Sequence, residues 1–79
     1  MSENIPLVFG HILRRLRTQR GLSQESLAHK SGLSRGFVAS IELGKRKPTI
    51  VSLLRLAHGL EMRPSQIIVE LEKELGIVR

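Results

Sequence analysis

The chain contains no cysteine among its 79 residues, which excludes disulfide bridges and thiolate metal sites and is compatible with a reducing cytoplasm. The single core that 79 residues can build is thin, and without a covalent staple its expected reinforcement is dimerisation. No apolar run is long enough to span a bilayer. The opening Met1-Ser-Glu-Asn-Ile-Pro6 also lacks the basic-then-apolar plan of a secretory leader, so a soluble, cytoplasmic protein without a membrane partner is expected. No segment alternates in the manner of a strand, and there is no internal repeat or low-complexity linker. The histidines His11, His29 and His58 are dispersed without metal-ligand spacing, and no glycine-rich phosphate loop follows a strand. Neither catalysis, a bound metal nor a cofactor is expected.

What remains is helical periodicity, divided by breakers into five segments, so the fold class expected is all-α in one domain over residues 1–79. Pro6 suits the first turn of helix one, where its missing N–H costs nothing, and Phe9, Ile12, Leu13 and Leu16 form its inner face before Gly21. Helix two is expected from about Gln24 to Lys30 and helix three from about Arg35 to Leu43. Thr49 is a good cap for helix four, expected to bury Ile50, Leu53, Leu54 and Ala57. Pro64 begins helix five, whose Ile67, Ile68, Leu71 and Leu75 form an apolar stripe broadened by Val69. That stripe suits either a self-dimer or the groove of another protein.

The stretch Leu22 to Ile41 places small and apolar residues where two helices meeting at a tight turn require them. Ser23 and Ser34 can cap the two helices, and Gly32 can take the left-handed turn conformation that most side chains find costly. Ala28 must be small beneath the crossing helix, while Val38 and Ile41 point back at Leu27 and Ala28. This is the pattern of a DNA-binding helix-turn-helix. An ordinary helical hairpin shares the caps and the glycine, and charge separates the two readings. Residues 1–47 hold nine Lys and Arg against three Glu, whereas residues 48–79 hold four of each. The excess of six positive charges therefore lies on the segment that carries the motif, as a polyphosphate-binding surface requires.

The residues Ile12-Leu-Arg-Arg-Leu-Arg17, Arg20-Gly-Leu-Ser-Gln-Glu-Ser-Leu-Ala28, Ser31-Gly-Leu-Ser-Arg35 and Ile41-Glu-Leu-Gly-Lys-Arg-Lys-Pro-Thr-Ile50 together resemble the lambda-repressor-like, Cro-type helix-turn-helix regulators. The resemblance implies a five-helix fold with the motif at helices two and three. Its size and the Ser34-Arg35 start of helix three are similar to the controller proteins of restriction-modification systems. It implies that helix three enters the major groove with Arg35, Gly36 and Ser40 on its exposed face and Phe37 near the boundary. Arg35 suits a bidentate pair with guanine, with a phosphate contact or a solvated side chain as its alternative. Gly36 either admits a thymine methyl or contributes nothing. Gln24, Ser34, Phe37, Lys45, Arg46 and Lys47 are implied phosphate-side positions.

Arg17 and Glu42 are implied to form a structural ion pair, whose value depends on a depth of burial that sequence leaves open. The implied function is sequence-specific binding of a palindromic double-stranded DNA operator by a homodimer, with RNA polymerase a prospective partner at the promoter. The alternative is an antitoxin or adaptor whose C-terminal helix grips a protein. Departures from the family pattern gather at the join of helices four and five. Gly59 lies inside helix four, Glu61 stands where a terminating glycine is usual, and Arg63 stands where a Ser or Asp cap is expected.

Overall fold

The computed structural model describes residues 4–77; Met1, Ser2 and Glu3, part of the segment read above for a leader, lie outside it. Five helices follow one another: α1 (Ile5–Gln19), α2 (Gln24–Ser31), α3 (Arg35–Glu42), α4 (Ile50–Leu60) and α5 (Pro64–Leu75). The all-α expectation holds, with helix boundaries within a residue or so of those read from the breakers. Side-chain oxygens of Ser23, Ser34 and Thr49 accept the backbone N–H three residues on, at 3.0, 3.1 and 3.0 Å. Each satisfies a donor that the first helical turn leaves without a partner. At α5 the roles are reversed: Arg63 supplies no cap, and its own N–H donates to Gln66 Oε1 at 2.8 Å.

All five helices end alike, with one left-handed residue followed by an N–H that reaches back to a carbonyl in the last turn. These bonds are Leu22 to Arg17, Leu33 to Ala28, Lys45 to Ser40, Met62 to Ala57 and Ile77 to Glu72, each between 2.9 and 3.1 Å. Four of the left-handed residues are glycine and the fifth is Glu61, at φ 57°. The departure at Glu61 therefore leaves the turn intact and places the strain on that residue.

The core joins Phe9, Ile12, Leu13 and Leu16 of α1 to Leu27 and Ala28 of α2, Val38 and Ile41 of α3, Leu56, Ala57 and Leu60 of α4, and Ile67 of α5. Two helix crossings require a missing Cβ. A Cβ on Gly10 would lie 2.6 Å from the Glu42 carbonyl oxygen and closer still to that of Ile41, so α1 rests directly on the α3 backbone. A Cβ on Gly59 would strike Ser31 Oγ and lie 3.0 Å from Leu27 Cδ1, which explains the glycine inside α4. Ser31 Oγ is buried there without a hydrogen-bond partner.

The inward face of α4 differs from the expectation. Ala57 is buried and Leu53 packs against the core, but Ile50 and Leu54 are 73% and 51% exposed, and Ser52, Leu56, Gly59 and Leu60 are buried instead. Apolar side chains at Ile50, Val51 and Leu54 on the outer side compete with those on the inner side, so spacing alone does not set the rotation. Polar closure and backbone approach set it: Ser52 turns inward to complete a reciprocal cap with Thr49, whose N–H it accepts at 2.8 Å, and Gly59 must face α2.

Arg17 and Glu42 settle the question of depth, with side chains only 11% and 3% exposed. Arg17 Nε and Nη2 donate to the two carboxylate oxygens at 2.6 and 3.0 Å, and Nη1 donates to the Leu22 carbonyl at 2.8 Å. The hydrogen bond to Glu42 raises the Arg17 pKa above its ordinary value, against the opposing effect of desolvation.

Glu42→Ala is expected to cost about 3–5 kcal/mol in urea denaturation, because it strands a buried guanidinium. A loss below about 1 kcal/mol would mean that the pair behaves as an exposed one. A second expectation concerns the α2–α4 crossing. Ser31→Ala removes an unpartnered buried hydroxyl and should leave the fold at least as stable, whereas Gly59→Ala alone should destabilise by about 1–3 kcal/mol through overpacking. Combined, the two should lose less than their sum in thermal denaturation, since the hydroxyl that blocks the new methyl is gone; strict additivity would show that it is not the obstacle.

Candidate nucleic-acid interface

The turn between α2 and α3 is three residues long and is set by Gly32 at φ 67°. Leu33 then tucks partly against the core and Ser34 starts α3. Val38 and Ile41 are fully buried, so the opposite side of α3 is held outward by packing. Arg35 and Gly36 are exposed there and Ser40 is half-buried. Nothing lies within 4 Å of where a Gly36 Cβ would be, so an approaching ligand meets bare backbone at that position.

The basic loop leaves α3 beside this face. Lys45 N–H is tied to the Ser40 carbonyl, and Lys45, Arg46 and Lys47 are exposed. The Arg46 guanidinium lies over the Phe37 ring, 5.0 Å from its centroid. An α-helix with an exposed Arg at its first turn, followed by a loop that carries three exposed cations, has the dimensions and charge to enter a DNA major groove between two phosphate strands.

Gln24, at the start of α2, is occupied on one side: Nε2 donates to Glu42 Oε1 at 3.1 Å. The buried carboxylate thus fixes the amide beside the α2 N-terminus, where the second N–H remains for an anion. Ser34 Oγ accepts from the Phe37 N–H and keeps its own proton to donate. Phe37 does not fit a phosphate-binding position. Its side chain has no donor and its backbone N–H is taken by Ser34, so its contribution is the ring on which Arg46 rests.

Not all of the positive charge of residues 1–47 faces outward from this surface. Arg15 bridges α1 to α5 through Glu70 and Glu74 at 2.8 and 3.1 Å, Arg17 is buried with Glu42, and Arg20 Nε donates to the Leu60 carbonyl at 2.7 Å. These partners, Glu42 excepted, lie in the neutral half of the sequence, so counting charge by segment could not reveal them. The approaches at Gly10 and Gly59 and the contact of Arg46 with Phe37 likewise join residues from separate helices or loops, which no local sequence pattern records.

The dimer stripe expected on α5 divides. Ile67 is fully buried and belongs to the core of its own chain, Leu71 packs against that core, and Leu75 is half-buried. Ile68 and Val69 remain, 38% and 42% exposed. The more exposed apolar surface is on α4, where Ile50, Val51 and Leu54 share one side, with Leu43 also exposed at the end of α3. Among the described residues no three His, Cys, Asp or Glu come together as a metal site, and no helix is long and apolar enough to cross a membrane.

Comparison with known proteins gives this geometry a context. The helix-turn-helix family model matches residues 13–67, from the middle of α1 into α5. Control protein C.MunI of Mycoplasma sp is 39% identical over 72 residues, covering 90% of this chain and 97% of the relative. The restriction-modification controller protein C.AhdI of Aeromonas hydrophila superposes with a TM-score of 0.76 at 45% identity, over 78% of this chain and 94% of that one. Wild-type C.Esp1396I, also a restriction-modification controller protein, superposes with a TM-score of 0.86 at 31% identity, over 99% and 100% of the two chains. Such regulators bind DNA and are not catalytic domains, as expected from the scattered histidines. With the motif at α2 and α3, the cation-flanked outer face of α3 and a matching family over most of its length, the chain belongs to the Cro-type helix-turn-helix DNA-binding regulators of transcription.

Proposed function

We propose that the protein is a homodimeric regulator that binds a palindromic operator in the cytoplasm, and that it serves as the controller of a restriction-modification system. The observation that carries this reading is the outer face of α3, with Arg35 exposed at one end and Lys45, Arg46 and Lys47 at the other. The similarity to proteins named as controllers over nearly their whole length supports the narrower assignment.

In this reading Arg35 reads a base, Ser40 and the bare backbone at Gly36 line the groove, and Gln24, Ser34, Lys45, Arg46 and Lys47 hold phosphates on either side. Two copies associate through the apolar side of α4, with Leu54 at its centre. The interface is moved here from α5 because Ile67 and Leu71 are used within the chain. The same inward turn removes most of the α5 surface on which an adaptor or antitoxin reading would depend.

Selection from random duplexes should return a symmetric site, against which two kinds of variant separate. Lys45→Ala should weaken binding to all sequences alike and make the salt dependence shallower by roughly one unit for each phosphate no longer held. Arg35→Ala should instead relax preference at one symmetric pair of bases, by about 1–3 kcal/mol. Equal losses on operator and random DNA would remove Arg35 from the reading role.

Sedimentation should find the wild type dimeric and Leu54→Glu monomeric, since the substitution places a carboxylate in each half of an apolar seam. Operator affinity should fall with it, because a single half-site anchors one subunit too weakly. A dimer that survives Leu54→Glu would place the interface elsewhere on the molecule.

A further inference from the structure

We propose that Phe37 is a positioning residue for Arg46, holding its guanidinium over the ring so that its N–H donors are kept in place for a DNA phosphate. The inference rests on the reading of α3 and its following loop as a DNA-binding surface. The Arg46 guanidinium carbon lies 5.0 Å from the Phe37 centroid, within the range at which the ring's negative face attracts a cation. Among the described residues, no carboxylate lies within ion-pair distance of Arg46, so the ring is its partner.

Both members of the stack are anchored. Phe37 packs partly against the core, and its N–H is held by Ser34 Oγ at 3.1 Å. The loop is pinned just before Arg46, where Lys45 N–H donates to the Ser40 carbonyl at 3.0 Å. Gly44 lies so close to α1 that a Cβ there would be 2.8 Å from Leu7 Cα. The ring attracts the guanidinium through its charge and accepts none of its N–H donors in a carboxylate-like pair, so those donors are kept for a phosphate, which they match two at a time. The neighbouring Lys45 and Lys47 have no such platform and meet phosphates as point charges on flexible stems. Prior ordering of Arg46 lowers the entropy lost when it binds.

Because the interaction is with the DNA backbone, a duplex of arbitrary sequence and about 30 base pairs at low salt serves as the probe, followed by fluorescence anisotropy. Phe37→Leu keeps an apolar side chain against the core and should weaken binding about two- to fivefold, the loss of one exposed cation–π interaction. Phe37→Tyr keeps the ring and should restore the affinity. Arg46→Ala should weaken binding and make the salt slope shallower by about one unit, and on that background Phe37→Leu should have no further effect.

Circular dichroism melting establishes that each variant is folded. An equal loss from Phe37→Leu with and without Arg46 would show that the ring touches DNA itself and overturn the proposal. Tighter binding by Phe37→Leu would also overturn it, since the stack would then be a resting arrangement that DNA must break. A wild type that binds no duplex at low salt would overturn the regulator reading beneath it, an outcome distinct from either.

Discussion

The Glu42 carboxylate is the point on which the DNA-facing side of the molecule depends. It ends α3, lies almost wholly out of water, and accepts hydrogen bonds from Arg17 on α1 and Gln24 on α2. Three helices are thereby fixed to one another by a single charged group. Its partner Arg17 also reaches the carbonyl of Leu22 in the loop that leads into α2. A charge buried this deeply is tolerable only if its oxygens are fully engaged, and that requirement specifies the relative placement of the helices more narrowly than apolar packing does.

Apolar packing alone would leave the arrangement looser, as α4 shows. It carries apolar side chains on both its inner and its outer side, and the stripe expected from their spacing has Ile50 and Leu54 inside when both are outside. By contrast the apolar face of α1, with Arg14 and Arg15 opposite it, was legible: Phe9, Ile12, Leu13 and Leu16 are all buried. The caps at Ser23, Ser34 and Thr49 and the turn at Gly32 were legible for the same reason, since each is a local rule about neighbouring residues. The division of the α5 stripe has another source. Periodicity identifies an apolar face but not what covers it, and Ile67 is covered by its own chain rather than by a second copy.

The candidate site was legible in outline because a helix-turn-helix is a contiguous motif, and its outward residues follow once Val38 and Ile41 are placed inside. Long-range polar partners were not. Phe37 and Arg46 are nine positions apart, and Arg20 and Leu60 are forty, with no sequence rule that joins either pair. The result is a division among the cations. Some of them tie the scaffold together, and Arg35, Lys45, Arg46 and Lys47 are left exposed on α3 and in the loop that follows it. A net charge on a segment therefore does not by itself give the charge available to a ligand.

The seating of α1 on α3 has a consequence for how such a protein can diversify. At Gly10 the two helices meet backbone to backbone, against the carbonyls of Ile41 and Glu42, so no side chain on the outer face of α3 helps to hold α3 in place. Positions 35 and 36, exposed and away from that contact, can therefore be exchanged without altering the angle at which the helix is presented. The scaffold behaves as a chuck and the outer residues as its bit: binding preference can drift by substitution at a few exposed positions while the stability of the grip is decided elsewhere, by a missing methyl group on the far side of the helix.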